Sequence, residues 1–178
     1  MATAEQIEDL TSKMAEERAR LLGLLAGLTE EQAELAPENA EGEAQWTAKE
    51  QAAHLAQMET TYRAWVERAL AGDSPDVSGV TGEPPAIPMP QANERPLAEH
   101  LAELRRQRQA TLRLLAGITP EMYDRTASNR LFGSLTVLQW LRSYYRHDRM
   151  HVDQISGREP EYRPRWAEGA GEPDQRRR

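Results

Sequence analysis

The segment "LLAGLTEE" at residues 24–31 returns almost unchanged as "LLAGITPE" at residues 114–121. In each copy an apolar run gives way to Gly and then to Thr with acidic residues, a pattern that ends one helix and precedes another. The repeat indicates that the chain consists of two halves of the same design. Each half is predicted to carry one helix before the repeated segment and one after it.

Four stretches around the repeat have helical periodicity, and almost nothing has the pattern of a strand. The second helix is predicted to begin at Thr47 and the fourth near Ser134, each of which can accept an N-cap hydrogen bond. Residues 72–95 are rich in Pro and Gly and are predicted to form a long crossover. The fold class that follows is all-α: a four-helix bundle with crossed connectivity, in which two helical hairpins are joined by the crossover. The predicted helices run from about 4 to 28, 47 to 71, 97 to 116 and 134 to 156.

The domain organisation follows from these boundaries. Residues 1–157 are predicted to form one bundle domain, and residues 158–178 are predicted to be a flexible C-terminal tail. The N-terminal segment lacks an apolar signal sequence, and no apolar run approaches the roughly 18 residues of a membrane span. We therefore expect a cytoplasmic protein without a membrane partner.

The composition excludes several function classes. The chain has 22 basic and 29 acidic residues and a net charge of −7, which argues against nucleic acid as a partner. It contains no cysteine, so disulfides, thiolate metal sites and a cysteine nucleophile are excluded. Any thiol chemistry would have to come from a small molecule.

The segment "RHDRMHVDQI" at residues 146–155 places His147 and His151 four residues apart, and so on the same side of a helix. On the second predicted helix, His54 has the corresponding position beside the apolar stripe. The three imidazoles could meet as an open set of nitrogen ligands for a catalytic metal ion. The alternative is that these histidines are only hydrogen-bonded, and His100 is better explained as a solvated or capping side chain.

Three charged residues fall inside the apolar arcs of their helices: Asp148, Arg108 and Glu17. Unpaired buried charge is costly, so Arg108 is predicted to bridge Asp148 and Glu17 inside the bundle. The alternative is that the helical phase is shifted and the three groups reach solvent.

The stretch "WTAKEQAAHLAQMETTYRAW" at residues 46–65, taken together with "HDRMHVDQI" at residues 147–155, resembles the DinB/YfiT-like superfamily. The resemblance extends from the first helix to Ile155. It implies a bundle with crossed connectivity that forms a homodimer and holds a divalent ion, often nickel or zinc, with three histidines. Carried over by motif position, the ligands are His54, His147 and His151.

The resemblance also implies a choice of activities. Similar proteins include transferases and isomerases that use mycothiol or bacillithiol as cosubstrate, and hydrolases. An open three-histidine site can activate either water or a small thiol, so we expect a metal-dependent transferase or hydrolase acting on a small electrophilic substrate. Tyr144 is predicted to donate a proton or to orient the substrate, with simple packing as its alternative. The alternative function is a non-catalytic, stress-associated protein that binds a metal or ligand.

Overall fold

The computed structural model describes residues 1–168 and contains four long helices. The all-α, four-helix bundle predicted from the sequence is confirmed. One short helix and three 3-10 turns occupy connections. The α-helices are α1 (Ala4–Ala26), α2 (Glu30–Glu34), α3 (Ala48–Ala71), α4 (Leu97–Leu115) and α5 (Val137–Ile155); the 3-10 turns are Gly42–Gln45, Met89–Glu94 and Pro120–Asp124.

Threonine caps fix the starts of all the α-helices in residues 1–168 except α4, which follows Pro96. At α3, the Thr47 hydroxyl accepts from the Glu50 N–H at 3.1 Å, and the Glu50 carboxylate accepts from the Thr47 N–H at 2.8 Å, as the sequence indicates. The prediction that Ser134 caps the fourth long helix, α5, is wrong. Thr136 caps α5 through a reciprocal pair of bonds with Gln139.

Ser134 belongs instead to a β-hairpin that the sequence analysis missed. Strand β1 (Thr126–Asn129) pairs antiparallel with β2 (Gly133–Thr136), and Gly133 has a positive φ of 74°. Each strand has only four residues, too few for an alternating pattern to stand out among small polar side chains. The hairpin connects the second copy of the repeat to α5.

The long helices pack so that the two members of each predicted hairpin lie diagonally across the bundle. Helix α1 packs against α5 and α4, and α3 packs against α4 and α5. The connectivity is therefore crossed, as expected, but α1 and α3 do not lie side by side as a hairpin, and neither do α4 and α5. The arrangement brings α3 and α5, the two histidine-bearing helices, into contact.

The core consists of two apolar clusters with a polar layer between them. One cluster lies at the hairpin end and includes Met14, Val66 and Leu141. The other, near α2, includes Leu21 and Leu104. Each long helix contributes a buried charged side chain to this polar layer: Arg18, Glu59, Arg108 and Asp148.

The crossover, residues 72–96, is tied to both α3 and the hairpin. The Val77 N–H donates to the Ser128 carbonyl at 2.8 Å, and the Trp65 indole N–H donates to the Val80 carbonyl at 2.8 Å. Gly82 lies so close to α3 that a Cβ atom there would be 2.2 Å from the carbonyl carbon of Thr60. The crossover backbone thus packs directly against α3. No helix in residues 1–168 is both long and apolar enough to span a bilayer.

The C-terminal segment, predicted to be a mobile tail, contacts the bundle over its described residues. The Ala167 N–H donates to the Leu131 carbonyl at 2.6 Å, and the Trp166 ring stacks on Phe132 with centroids 5.1 Å apart. The Tyr162 ring lies 5.6 Å from the guanidinium carbon of Arg146. Residues 169–178 of the predicted tail lie outside the described residues.

Candidate metal centre

Four side chains from three elements converge where α3 meets α5. His54 projects from the second turn of α3, whose start is fixed by the Thr47 cap. His147 and His151 project from α5 one turn apart, as their spacing predicts. Glu43 comes from the 3-10 turn that precedes α3. The ligand-type atoms of these four residues all lie within 4.8 Å of one another.

The nitrogen atoms have the spacing of a shared ligand set. The Nε2 atom of His147 lies 3.2 Å from Nε2 of His54 and 3.0 Å from Nε2 of His151. Two bonds of roughly 2.0–2.1 Å that meet at a tetrahedral angle hold nitrogen ligands about 3.3 Å apart. Carboxylate oxygens of Glu43 lie 3.4 Å from Nε2 of His54 and 3.6 Å from Nε2 of His151. The residues therefore fit a divalent ion.

A hydrogen-bond relay orients His151. Its Nδ1 atom lies 2.8 Å from the Gln51 side-chain oxygen, and the Gln51 amide N–H₂ donates to the Trp46 carbonyl at 3.1 Å. Because the Trp46 carbonyl receives the amide, the Gln51 oxygen faces His151 and accepts from Nδ1. Nε2 of His151 then directs its lone pair towards the other imidazoles, which is the tautomer a metal ligand needs.

The electrostatics of the cluster favour the protonation state that metal binding requires. Burial lowers the pKa of His54 to about 4, and burial together with His147 lowers the pKa of His151 well below its ordinary value. Burial opposes ionisation of Glu43, but the neighbouring imidazoles outweigh it and hold the pKa of the carboxyl below its usual range. At neutral pH His54 and His151 are neutral and Glu43 is an anion.

The cluster forms part of the wall of a large cleft. The cleft has a volume of about 1940 Å³ and is bounded by α3, α5, the crossover, the β-hairpin and the C-terminal segment. Glu43, His54 and His147 line it, whereas His151 is completely buried behind them. A small molecule in the cleft can reach the cluster from this one side.

The structure places Tyr144 away from the cleft. Its side chain is buried and is not among the cleft-lining residues, and its hydroxyl has no hydrogen-bond partner in residues 1–168. Burial, with the nearby Glu59 carboxylate, raises the pKa of Tyr144 well above its ordinary value. The ring packs 5.4 Å from that of Tyr62. The catalytic role of Tyr144 stays a prediction.

His100 lies outside the cluster, as predicted, but it is not solvated. The residue is 1% exposed, and its Nε2 atom lies 2.9 Å from the Ala92 carbonyl, to which it donates. Burial lowers the pKa of His100, so the ring is a neutral donor that ties α4 to the end of the crossover.

The predicted charge network exists with different members. Arg108 donates to Asp148 at 2.9 Å, as expected, but its second carboxylate is Glu59 at 2.8 Å and not Glu17. Glu17 instead pairs with Arg20 and Arg149 near the surface. Glu17 is buried, as the helical wheel predicts, but its predicted partner is wrong because its carboxylate lies at the margin of the bundle, where it reaches these arginines.

Arg18 completes the network and was also missed. It donates to Glu59 at 2.6 Å and to Asp148 at 2.9 Å. Two guanidinium groups therefore face two carboxylates, and each carboxylate is shared by both arginines. We call Arg18, Glu59, Arg108 and Asp148 the charge network.

Glu43 is the site residue that sequence reasoning did not find. It lies in the stretch "ENAEGEAQW", which offers three glutamates with no helical phase to separate them. Only the packing of the 3-10 turn against α5 selects Glu43. Its position three residues before Trp46 gave no signal for metal binding.

The comparisons with known proteins identify the family and support the fold. The family model of the DinB superfamily matches residues 13–155. The chain belongs to the DinB superfamily. Among solved structures, this DinB-superfamily chain is similar to YfiT from Bacillus subtilis, described as a probable metal-dependent hydrolase with an unusual four-helix bundle topology. The two share 16% identity and superpose with a TM-score of 0.70 over 88% of this chain and 87% of YfiT. No curated protein matches the sequence.

Proposed function

We propose that this protein is a divalent-metal-dependent enzyme that activates water or a small-molecule thiol for attack on a small electrophilic substrate. The observation that carries the proposal is the convergence of three imidazoles and one carboxylate on the wall of a cleft. The name given to YfiT, a probable metal-dependent hydrolase, supports the same class of reaction. Zinc and nickel both suit imidazole ligands.

The three histidines would hold the ion, and Gln51 would keep His151 in the required tautomer. A bound divalent ion supplies Lewis acidity, which lowers the pKa of a water or thiol towards neutrality. Because the chain has no cysteine, a sulfur nucleophile would have to arrive as a cosubstrate such as mycothiol or bacillithiol.

Glu43 is suited to accept the proton that the nucleophile loses. Its carboxylate is ionised at neutral pH and lies at the cleft beside all three imidazoles. The same carboxylate could instead act as a fourth ligand. That arrangement favours the second candidate function, a non-catalytic metal-binding protein.

The test uses protein stripped with a chelator and then reloaded with zinc or nickel. Two assays are run: hydrolysis of 4-nitrophenyl acetate, and conjugation of 1-chloro-2,4-dinitrobenzene with mycothiol or bacillithiol. We expect activity in at least one assay that needs the ion and is lost in His54→Ala. Ser143→Ala is the matched control, because Ser143 also lines the cleft and bonds only to its own helix.

Glu43→Gln separates the two candidate functions. If Glu43 accepts the proton, the variant keeps its metal and loses activity by about 100-fold or more. Loss of the metal itself in Glu43→Gln, with no activity in the wild type, would favour the metal-binding protein.

A further inference from the structure

Beyond the candidate metal centre, the cleft has an aromatic side that no step of the proposed reaction uses. Trp65 and Trp140 pack edge to face with centroids 5.0 Å apart, and Phe132 lies 5.8 Å from Trp140. All three residues line the cleft. We call Trp65, Phe132 and Trp140 the aromatic wall.

Ring contacts connect the aromatic wall to the candidate metal centre. Tyr62 lies between the two, with its ring 5.3 Å from Trp65 and 6.0 Å from His147. Along α5, Trp140 precedes His147 by seven residues, which corresponds to about 10 Å of helix axis. A molecule with one end at the imidazoles can therefore place an apolar group against the wall.

One polar group of the aromatic wall has no hydrogen-bond partner in the described part of the chain. The indole N–H of Trp140 is buried and meets no acceptor in residues 1–168. Buried polar groups are nearly always hydrogen-bonded. An unpaired indole N–H in the wall of the cleft points to a polar molecule that supplies the missing acceptor.

Arg146 supplies a positive charge at the end of the cleft near the imidazoles. It directly precedes His147, lines the cleft, and forms no ion pair in the described part of the chain. Tyr145 and Tyr162 hold its guanidinium by cation–π contacts of 5.9 and 5.6 Å. The guanidinium hydrogen-bonds to the Tyr162 hydroxyl but pairs with no carboxylate in residues 1–168, so its other N–H groups can bind a carboxylate ligand.

The acidic residues around the cleft do not cancel this charge. Glu159 is paired with Arg163, and Glu43 faces the three imidazoles. Glu41 and Glu161 also line the cleft, but neither forms a salt bridge with Arg146.

We propose that the cleft binds small molecules that carry both a flat apolar ring and a carboxylate, with the ring on the aromatic wall and the carboxylate at Arg146. This names a substrate class for the proposed function, and the assignment as a substrate rests on that function. The separation of the two groups follows from α5, where Trp140 and Arg146 are six residues apart, or about 9 Å along the axis.

The experiment measures binding by calorimetry in the presence of EDTA, so that no metal contributes. The probe is 6-phenylhexanoate, whose extended chain matches the separation of the two subsites. Hexanoate lacks the ring, and 6-phenylhexan-1-ol lacks the charge. We expect 6-phenylhexanoate to bind the wild type at least tenfold more tightly than either comparison compound.

Two variants assign the subsites. In Phe132→Ala, the ratio of the affinity for 6-phenylhexanoate to that for hexanoate should decrease at least fivefold. In Arg146→Gln, the affinities for 6-phenylhexanoate and 6-phenylhexan-1-ol should lie within twofold of each other. Leu112→Ala and Arg149→Gln are the controls, because neither residue lines the cleft. The comparison of the three compounds on the wild type tests the proposal even if Phe132→Ala does not fold.

Equal affinity for hexanoate and 6-phenylhexanoate would overturn the proposal, and so would an equal effect of Arg146→Gln and Arg149→Gln. The outcome is independent of the metal. If the protein binds 6-phenylhexanoate selectively but never binds a metal ion, the aryl-carboxylate site is supported and the proposed metal-dependent reaction is contradicted.

Discussion

The bundle contains two buried clusters of four polar residues, and they differ in how their charges are balanced. In the charge network, two guanidinium groups face two carboxylates, and the remaining donors reach the carbonyls of Leu104 and Met14. In the candidate metal centre, one carboxylate and three imidazoles face one another with no cationic side chain among them. The first cluster is complete within the chain, whereas the second calls for a cation from outside.

The two clusters meet on α5, where His147 and Asp148 are consecutive and therefore about 100° apart around the helix axis. The network connects all four long helices and fixes their relative position. We infer that the compensated cluster stabilises the fold, and we expect the uncompensated one, which opens on the cleft, to bind the metal ion.

The largest effect should come from breaking the charge network. Arg108→Met leaves Glu59 and Asp148 to share one guanidinium in a dry environment, and it should lower the free energy of unfolding by about 3–5 kcal/mol. Urea denaturation of the metal-free protein measures this. The matched control is Arg149→Met, which removes a half-exposed arginine and should cost less than about 1 kcal/mol. Equal small losses would mean that the network does not hold the fold together.

A second effect should appear when the pH of the metal-free protein is lowered. The pKa of His54 is about 4 in the fold and 6.5 in an unfolded chain, so the unfolded state binds more protons between these values. Stability is therefore fully present above pH 6.5 and decreases as the pH falls to 4, by about 3 kcal/mol from His54 alone. The lowered pKa of Glu43 acts in the same direction. Denaturation at several pH values in EDTA should show a shallower decrease in His54→Gln; an unchanged slope would contradict the assignment.

A smaller effect should follow from removing the orienting amide. Gln51→Ala frees His151 to adopt other ring orientations and tautomers, and it should weaken zinc or nickel binding by about 10- to 100-fold while the protein stays folded. Gln57→Ala is the control, because Gln57 lies on the same helix and lines the cleft without contacting an imidazole. Competition with a chromogenic chelator gives both affinities. Identical affinities would show that the relay from Trp46 does not set the ligand geometry.

The sequence predicted the parts of the fold that depend on periodic patterns. Helical phase and capping residues located the four long helices and placed His54, His147 and His151 on flanks that meet. The same reasoning placed Arg108 and Asp148 inside the bundle and predicted their contact, which the structure confirms. It failed for the hairpin, because four-residue strands have too short a pattern.

The parts that depend on tertiary packing could not be read from the sequence. Glu43 lies in an irregular segment where neighbouring glutamates are equivalent until the 3-10 turn packs against α5. Arg18 and Glu17 are adjacent on α1, and only the packing of the neighbouring helices decides which of them is buried in the network. Tyr144 shares the general side of His147, but a modest rotation about α5 directs it into the core and not into the cleft.

Elemental analysis of protein purified without an affinity tag and reconstituted with zinc or nickel tests whether His54, His147 and His151 hold a metal ion. Wild type, His151→Ala and His100→Gln are compared, because His100 is a buried histidine outside the cluster. We predict close to one divalent ion per chain in the wild type and in His100→Gln, and less than about one-tenth of that in His151→Ala. Absence of metal from the wild type after reconstitution, or equal metal in all three proteins, would contradict a metal centre at His54, His147 and His151.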